Sequence, residues 1–340
     1  MQQGENEIKI YNDNSYQFSN LVNSTAPEID LVTVSKLSLS SEPNNGYNLT
    51  IQDSLKVNFF IDMPYYGAEG GHIEYSYLET TDDKSAVRKT YTVQDSEMAV
   101  QENGTRKLIL KAAPAQIAED YIVTVYDSDG NEKAVINASI EDYCQAIIES
   151  NDARLTPYKD IAQSLLNYGA LANEYFGYAA LSKEVTGEDY AVSHSDDYKA
   201  EVDVSEFRSK AKASFTEGVD ASGNPISITG VSYVALLDPE LRFYVSQENE
   251  VLAALTDVSI DNPDLEAKMV KTGNGFCVRV TGLKSSDFAK TFTVKIGTAE
   301  LTYNGCAYLY TVLTQSNDEK LVNLAKGVYR YASACEAKFS

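Results

Sequence analysis

Tyrosine is where this sequence concentrates its chemistry: it has 24 tyrosines and no tryptophan. Four of them fall in one segment, Asp62-Met63-Pro64-Tyr65-Tyr66-Gly67-Ala68-Glu69-Gly70-Gly71-His72-Ile73-Glu74-Tyr75-Ser76-Tyr77, together with three glycines, Glu69 and His72. An exposed tyrosine offers rigid contact area at small entropic cost, and its π face suits the C–H face of a sugar ring. Carboxylate and imidazole groups nearby can hold the sugar hydroxyls. Tyr65, Tyr66, Glu69, His72, Tyr75 and Tyr77 are therefore the candidate carbohydrate-binding residues. The plainer reading has Tyr75 and Tyr77 as ordinary strand residues and the loop folded over the edge of a core. The second half of the chain has no equivalent loop, and its candidates are Tyr303, Asn304 and Tyr308.

Other chemistries find less support. Two histidines are present, His72 and His194, and no HExxH, GxSxG or Walker A pattern accompanies them. Paired carboxylates for glycoside hydrolysis depend on spatial, not sequence, proximity. The expectation is a non-catalytic protein with no cofactor and no metal. Asp127-Ser128-Asp129-Gly130-Asn131-Glu132 resembles part of a calcium loop, but it lacks a third ligand before the glycine, and a hairpin turn is the favoured reading. Asp220–Asn224 is a similar turn. The four cysteines, Cys144, Cys277, Cys306 and Cys335, include no CxxC pair, and Cys335 lies on an apolar stripe. Buried free thiols are the preferred assignment, with a Cys277–Cys306 bridge left open.

The elements that must position these residues occur twice. Ile161, Leu165, Tyr168, Ala172 and Phe176 repeat at the spacing of Leu324, Val328, Tyr331, Cys335 and Phe339, each an apolar stripe of helical period. Upstream, Ile117, Ala118, Tyr121 and Val123 match Phe288, Ala289, Phe292 and Val294. Val57, Phe59 and Ile61 match Leu241, Phe243 and Val245, and Ser35–Ser40 matches Ala211–Thr216. Alternation marks strands at 121–126, 134–136 and 276–280, the last after an Asn274-Gly275 turn. Ser139 with Asp142, and Ser316 with Glu319, have capping-box spacing, and Thr156-Pro157 reads as N-cap and first helical residue. Short helices are expected at about 139–150 and 305–315.

The fold class expected is α+β, mainly β: two tandem Ig-like antiparallel β-sandwich modules, each ending in a short and a longer helix packed on the sandwich. The expected boundaries are a tail or added strand at 1–28, module 1 at 29–178, a linker at 179–202 and module 2, a diverged copy, at 203–340. A chain of 340 residues with 43% hydrophobic and 23% charged residues is of globular composition. A net charge of −22 without a basic patch argues against nucleic acid and anionic membranes. No apolar run is long enough to insert in a membrane, and no signal-peptide pattern opens the sequence.

Ala138-Ser139-Ile140-Glu141-Asp142-Tyr143, followed by Leu165-Leu166-Asn167-Tyr168-Gly169-Ala170-Leu171-Ala172-Asn173-Glu174-Tyr175-Phe176, resembles the tail motif of repeated modules in large secreted polysaccharide-adherence proteins of Gram-positive gut anaerobes, of amylosome or cellulosome type. The likeness covers about 29–178 well and 203–339 in outline. It implies an extracellular or cell-surface setting, a place among other domains of a larger surface protein, and a polysaccharide partner, with starch or another α-glucan favoured. The alternative expectation is a structural spacer or an adhesin segment that binds a protein.

Overall fold

Alternation in residues 121–126 shows how the strands form. Tyr121, Val123 and Val125 are buried, and the residues between them are half-buried. A strand puts successive side chains on opposite faces, so this pattern fixes which face meets the core. The computed structural model describes residues 43, 45–51, 54–80, 86–234, 239–245, 257–272 and 275–339. The expected tail at 1–28 and the Ser35–Ser40 half of the repeat lie outside the described residues, as does Asn274.

The chain divides into two units, Met1–Ser195 and Asp196–Ser340. The first contains strands β1 (Gly46–Thr50), β2 (Leu55–Ile61), β3 (His72–Thr80), β4 (Ala86–Gln94), β5 (Ala99–Val100), β6 (Arg106–Ala112), β7 (Tyr121–Tyr126) and β8 (Glu132–Ala138). Helices α1 (Ile140–Glu149), α2 (Lys159–Phe176) and α3 (Tyr178–Thr186) follow. The second contains α4 (Val204–Lys210), then β9 (Ala213–Thr216), β10 (Gly218–Val219), β11 (Pro225–Ile226), β12 (Ile228–Val234), β13 (Glu240–Val245), β14 (Val258–Ile260), β15 (Glu266–Thr272), β16 (Gly275–Thr281), β17 (Phe292–Ile296) and β18 (Ala299–Tyr303). It ends in α5 (Gly305–Gln315) and α6 (Glu319–Phe339). The fold is thus mixed α+β, mainly β, with antiparallel sheets throughout the described pairings.

The sheet orders of the two units agree in part. Unit 1 has β1-β2-β6-β5 and β4-β3-β7-β8; unit 2 has β12-β13-β16-β15 and β14-β17-β18-β9. In unit 2, Leu241, Phe243, Val278 and Val280 of one sheet share a core with Phe292, Val294, Leu301 and Tyr303 of the other. In the second sheet, β14 stands beside β17 as β3 stands beside β7. No described strand of unit 2 takes the place of β4.

Helix ends agree with the expected spans, but two of the expected caps work differently. Ser139 Oγ accepts the Asp142 N–H at 3.0 Å, as expected of an N-cap. Thr156 makes no cap: Thr156–Tyr158 is a 3-10 turn, preceded by Leu155, that leads into α2. Ser316 belongs to the end of α5, and Asp318 Oδ1 accepts the Leu321 N–H at 3.2 Å at the start of α6. Gly177, at φ 67°, closes α2 and opens α3. That left-handed conformation is cheap for glycine alone. On the α2 stripe, Ile161, Leu165, Tyr168 and Ala172 are buried, whereas Phe176 at the helix end is 36% exposed.

The stretch 179–202, expected as a linker, is tied down. Tyr178, Ser182, Tyr190 and Val192 are buried. Asn173 Nδ2 donates to the carbonyls of Ala115 and Tyr190, at 3.1 and 2.9 Å. Asn167 Oδ1 accepts the Ser195 N–H, and Asn167 Nδ2 donates to Ser195 Oγ, both at 2.9 Å. In unit 2 the repeat places Arg330 at the position of Asn167. Its guanidinium donates to the carbonyls of Tyr198, at 2.8 Å, and Ala200. Beside it the buried Lys326 pairs with Glu201 at 2.8 Å. The stretch read as unpatterned because its order comes from helix side chains far away in sequence, not from its own periodicity.

Candidate functional site: tyrosines on sheet β4-β3-β7-β8

The loop before β3 is a packed turn with a few exposed side chains. Met63 and Ala68 are fully buried and pin it to the core. Asn45 Oδ1 accepts the Asp62 N–H at 2.9 Å, and Asn45 Nδ2 donates to the Tyr66 hydroxyl. Asp95 holds the other end: it accepts the Gly70 N–H at 3.0 Å and Arg106 Nε at 2.6 Å. Burial raises the Asp95 carboxyl pKa, but the Arg106 and Gly70 donors outweigh it and leave the group below its ordinary value. Gly71 permits a close approach, since a Cβ there would sit 2.1 Å from the Tyr126 carbonyl oxygen. On this turn Tyr65 is 48% exposed, and its ring meets Tyr66 edge-on at 5.2 Å. Glu69 is exposed, and Tyr66 is half-buried.

The six candidates do not form one cluster. The strand period separates His72 from Tyr75 and Tyr77, which lie on opposite faces of β3. On one face the His72 ring stacks on Tyr126 at 4.8 Å, 9° from parallel. On the other, Tyr75 pairs directly with Tyr91 of β4 in the sheet register. The Tyr75 and Tyr91 rings are 5.2 Å apart and 19° from parallel; Tyr77 lies 6.2 Å from Tyr75 and 5.9 Å from Tyr91, with angles of 8° and 17°. Tyr77 also stacks on the buried Tyr121 at 6.1 Å. These three rings form a row of near-parallel, partly exposed aromatics across β3 and β4, on the face of the sheet that also carries the buried Ile73 and Val123. Partial burial raises the Tyr75 hydroxyl pKa, and the neighbouring Tyr91 adds to that.

Sequence reasoning missed Tyr91. It sits in an alternating run, but its partnership with Tyr75 depends on the β3–β4 register, which no local pattern encodes.

The second-half candidates are corrected by burial. Tyr303 is 6% exposed and packs edge-on against Phe243 at 5.1 Å. Burial pushes its hydroxyl pKa up to about 12. Asn304 is fully buried and caps α5. Its Oδ1 accepts the Ala307 and Lys212 N–H groups at 3.0 and 3.1 Å, and its Nδ2 donates to the Lys210 and Ala289 carbonyls at 2.9 Å each. No hydrogen-bonding capacity of that amide is left for a ligand. Tyr308 is half-buried against the core, near Tyr233.

The two acidic turns prove to be one structure used twice. Asp127 Oδ1 accepts the N–H groups of Asp129 and Asn131 at 3.0 and 2.8 Å, and Asp220 Oδ1 accepts those of Ser222 and Asn224 at 2.8 and 2.9 Å. In each, the asparagine amide donates back to the other carboxylate oxygen, at 3.1 and 3.0 Å. The glycine takes φ 82° or 85°. Lys133 pairs with Asp127 at 2.8 Å, and with the Asn131 donors it holds that carboxyl well below the usual range. These oxygens face N–H donors, which is how an Asx turn differs from a cation site. Among the described residues no cluster of His, Cys, Asp and Glu is grouped to hold a metal. All four cysteines are free and buried, so Cys277 and Cys306 are not bridged. Among the described residues no helix is long and apolar enough to cross a membrane.

Neither a family model, nor a curated protein, nor a solved structure matches this chain.

Proposed function

We propose that the chain is a non-catalytic polysaccharide-binding segment of a larger extracellular or cell-surface protein, built from two copies of an Ig-like module. Starch or another α-glucan is the favoured ligand. The observation that carries this reading is the row of Tyr75, Tyr77 and Tyr91. Three near-parallel, partly exposed rings at the margin of the core offer an aromatic surface on which a sugar ring could stack. The preference for α-glucan rests on the sequence resemblance. The proposed site lies in the first unit, and Tyr65 with Glu69 is a separate exposed pair on the preceding turn.

The test is affinity gel electrophoresis with soluble amylopectin, β-glucan and xylan, beside pull-down on granular starch and cellulose. Retention by one glycan, reduced at least ten-fold by Tyr91→Ala and by Tyr75→Ala, supports the reading. Tyr91 is 36% exposed, so its loss should cost about 1 kcal/mol of stability, against about 3–5 for a fully buried ring such as Tyr121. Retention unchanged by both substitutions would remove the row from the site.

A second reading, an adhesin segment, draws on β4 itself. Among the described strands it stands at the edge of its sheet, with Val87 43% exposed, so an extended segment of a protein partner could add to the sheet there. Failure to bind any glycan, with peptide capture at β4, would favour it.

A further inference from the structure

The face of sheet β12-β13-β16-β15 turned away from the core carries a row of cations that no single stretch of the sequence shows. Leu241, Phe243, Val278 and Val280 point into the core, so Arg242 and Arg279 between them stand on the opposite face. The register sets Arg242 directly beside Arg279, and Arg279 directly beside Lys268 of β15. Adjacent strands lie about 4.8 Å apart, so three positive side chains recur at that spacing. Like charges directly opposite one another cost a sheet stability. In a chain with 28 basic and 50 acidic residues, composition alone does not supply such a row.

Two carboxylates share the face and set its geometry. Glu240 is buried; its Oε1 accepts from Nε and Nη2 of Arg242, and its Oε2 lies 3.3 Å from Arg279 Nε. Glu266 pairs with Lys268. One buried acid thus braces two guanidinium groups side by side, and three cations against two carboxylates leave the row net positive. Among the described residues the terminal nitrogens of Arg279 find no acceptor. The side chains of Arg242, Arg279 and Lys268 are 37, 41 and 61% exposed, so a ligand can reach them. Two residues along β13, Tyr244 stands on the same face, its hydroxyl 3.2 Å from Ser232 Oγ. Its cross-strand neighbour is Gly230, which has no side chain to cover the ring.

We propose that this face of the second unit binds an acidic polysaccharide, with Arg242, Arg279 and Lys268 holding the carboxylates of uronate residues and Tyr244 contacting a sugar ring. The site differs from the tyrosine row in unit and in ligand, and it stands whether or not that row binds an α-glucan.

The chemistry selects the ligand. A guanidinium presents a planar fork of donors that matches a carboxylate, and Glu240 has already fixed the orientation of both forks. A neutral glucan has no charge to offer this row, whereas a polyuronate carries a carboxylate on every sugar and can engage several cations at once. Tyrosine next to the cations supplies the apolar contact that a pyranose ring uses. The net charge of −22 does not forbid this. At physiological ionic strength charges more than about 8 Å away are largely screened, so the local row decides.

The experiment is affinity gel electrophoresis of the full chain at physiological ionic strength. A chelator is present so that calcium cannot bridge two polyanions. The gels contain polygalacturonate, its methyl-esterified form or poly-L-glutamate. Polygalacturonate should retard the chain and the methyl ester should not. Arg279→Gln should weaken retention by about ten-fold, as expected for loss of a hydrogen-bonded charge. Lys268→Gln, on a more exposed pair, should weaken it by about three-fold. Tyr244→Ala should weaken it as well, while Tyr75→Ala and Tyr91→Ala should leave it unchanged, which separates this site from the one in the first unit. No retention by polygalacturonate would overturn the proposal, as would equal retention by the methyl ester or full retention in Arg279→Gln. Equal retention by poly-L-glutamate, unmoved by Tyr244→Ala, would overturn the sugar assignment in favour of an acidic peptide. If Arg279→Gln fails to fold, unchanged retention in Lys268→Gln would overturn the proposal alone.

Discussion

Asn304→Ala is the substitution whose effect the structure fixes most tightly. The side chain is fully buried and uses both acceptor positions and both donors, joining the start of α5 to Lys212 beside β9, to Lys210 at the end of α4 and to Ala289 before β17. Loss of an N-cap alone costs about 1 kcal/mol. Each buried partner left unsatisfied adds about 1–3 kcal/mol, although water can reach some of these groups once the amide is gone. About 3 kcal/mol is therefore expected. With a guanidinium dependence of about 3 kcal/mol per molar, that shifts the unfolding midpoint of the second unit by roughly 1 M. The assay is equilibrium denaturation followed by far-UV circular dichroism, with both units in one chain and the first acting as internal reference. Asn304→Asp sharpens the test. It keeps both accepted bonds but sets a carboxylate oxygen against two carbonyl oxygens. Its destabilisation should be at least as large at pH 7 and should shrink as pH falls through the raised pKa of the buried carboxyl towards about 4, the unfolded value, because a protonated carboxyl donates once. A loss under about 1 kcal/mol in Asn304→Ala would refute the claim that this residue is structural and would return it to the list of surface candidates.

The remaining expectations can be checked by simpler measurements. Gly71→Ala drives a Cβ into the Tyr126 backbone, so it should lower stability by about 1–3 kcal/mol and loosen the Tyr65 turn, read as a lower melting temperature. Asp127 and Asp220 both have carboxyl pKa values held below the ordinary range, Asp127 chiefly by Lys133 and Asp220 chiefly by Asn224. Their stabilisation is present above about pH 4 and is lost as pH falls through the lowered values. The melting temperatures of wild type and Asp127→Asn should therefore converge between pH 5 and pH 2, and a constant difference would contradict the turn geometry. Burial raises the thiol pKa of Cys306 to about 11 and of Cys335 to about 12, and pushes Cys144 and Cys277 upward too. A thiol reagent should label no cysteine quickly in buffer and all four in denaturant.

The helices and strands were legible because each is written in a local period. The apolar spacing of Ile161, Leu165 and Tyr168 places α2, and alternation from Tyr121 places β7. What failed to show was whatever depends on pairing across distance. Tyr91 joins Tyr75 only through the β3–β4 register. His72 and Tyr75 look adjacent in sequence, yet the pleat puts them on opposite faces. Asn304 reads as a polar surface residue until four partners, three of them far off in sequence, are seen to converge on it. Residues 179–202 look like a linker because their order is supplied by Asn167, Asn173, Lys326 and Arg330.

Those four side chains also decide where this chain can be cut. A fragment ended at 178 leaves Asn167 and half of the Asn173 pairing without Ser195 and Tyr190. One begun at 203 strips Lys326 and Arg330 of Glu201, Tyr198 and Ala200. Each truncation exposes polar groups on a helix that the intact chain satisfies. Between Ser195 and Tyr198 stand only Asp196 and Asp197. Anyone dissecting the halves for crystallisation, or nicking the protein with a protease, has that dipeptide as the seam that leaves both tethers in place.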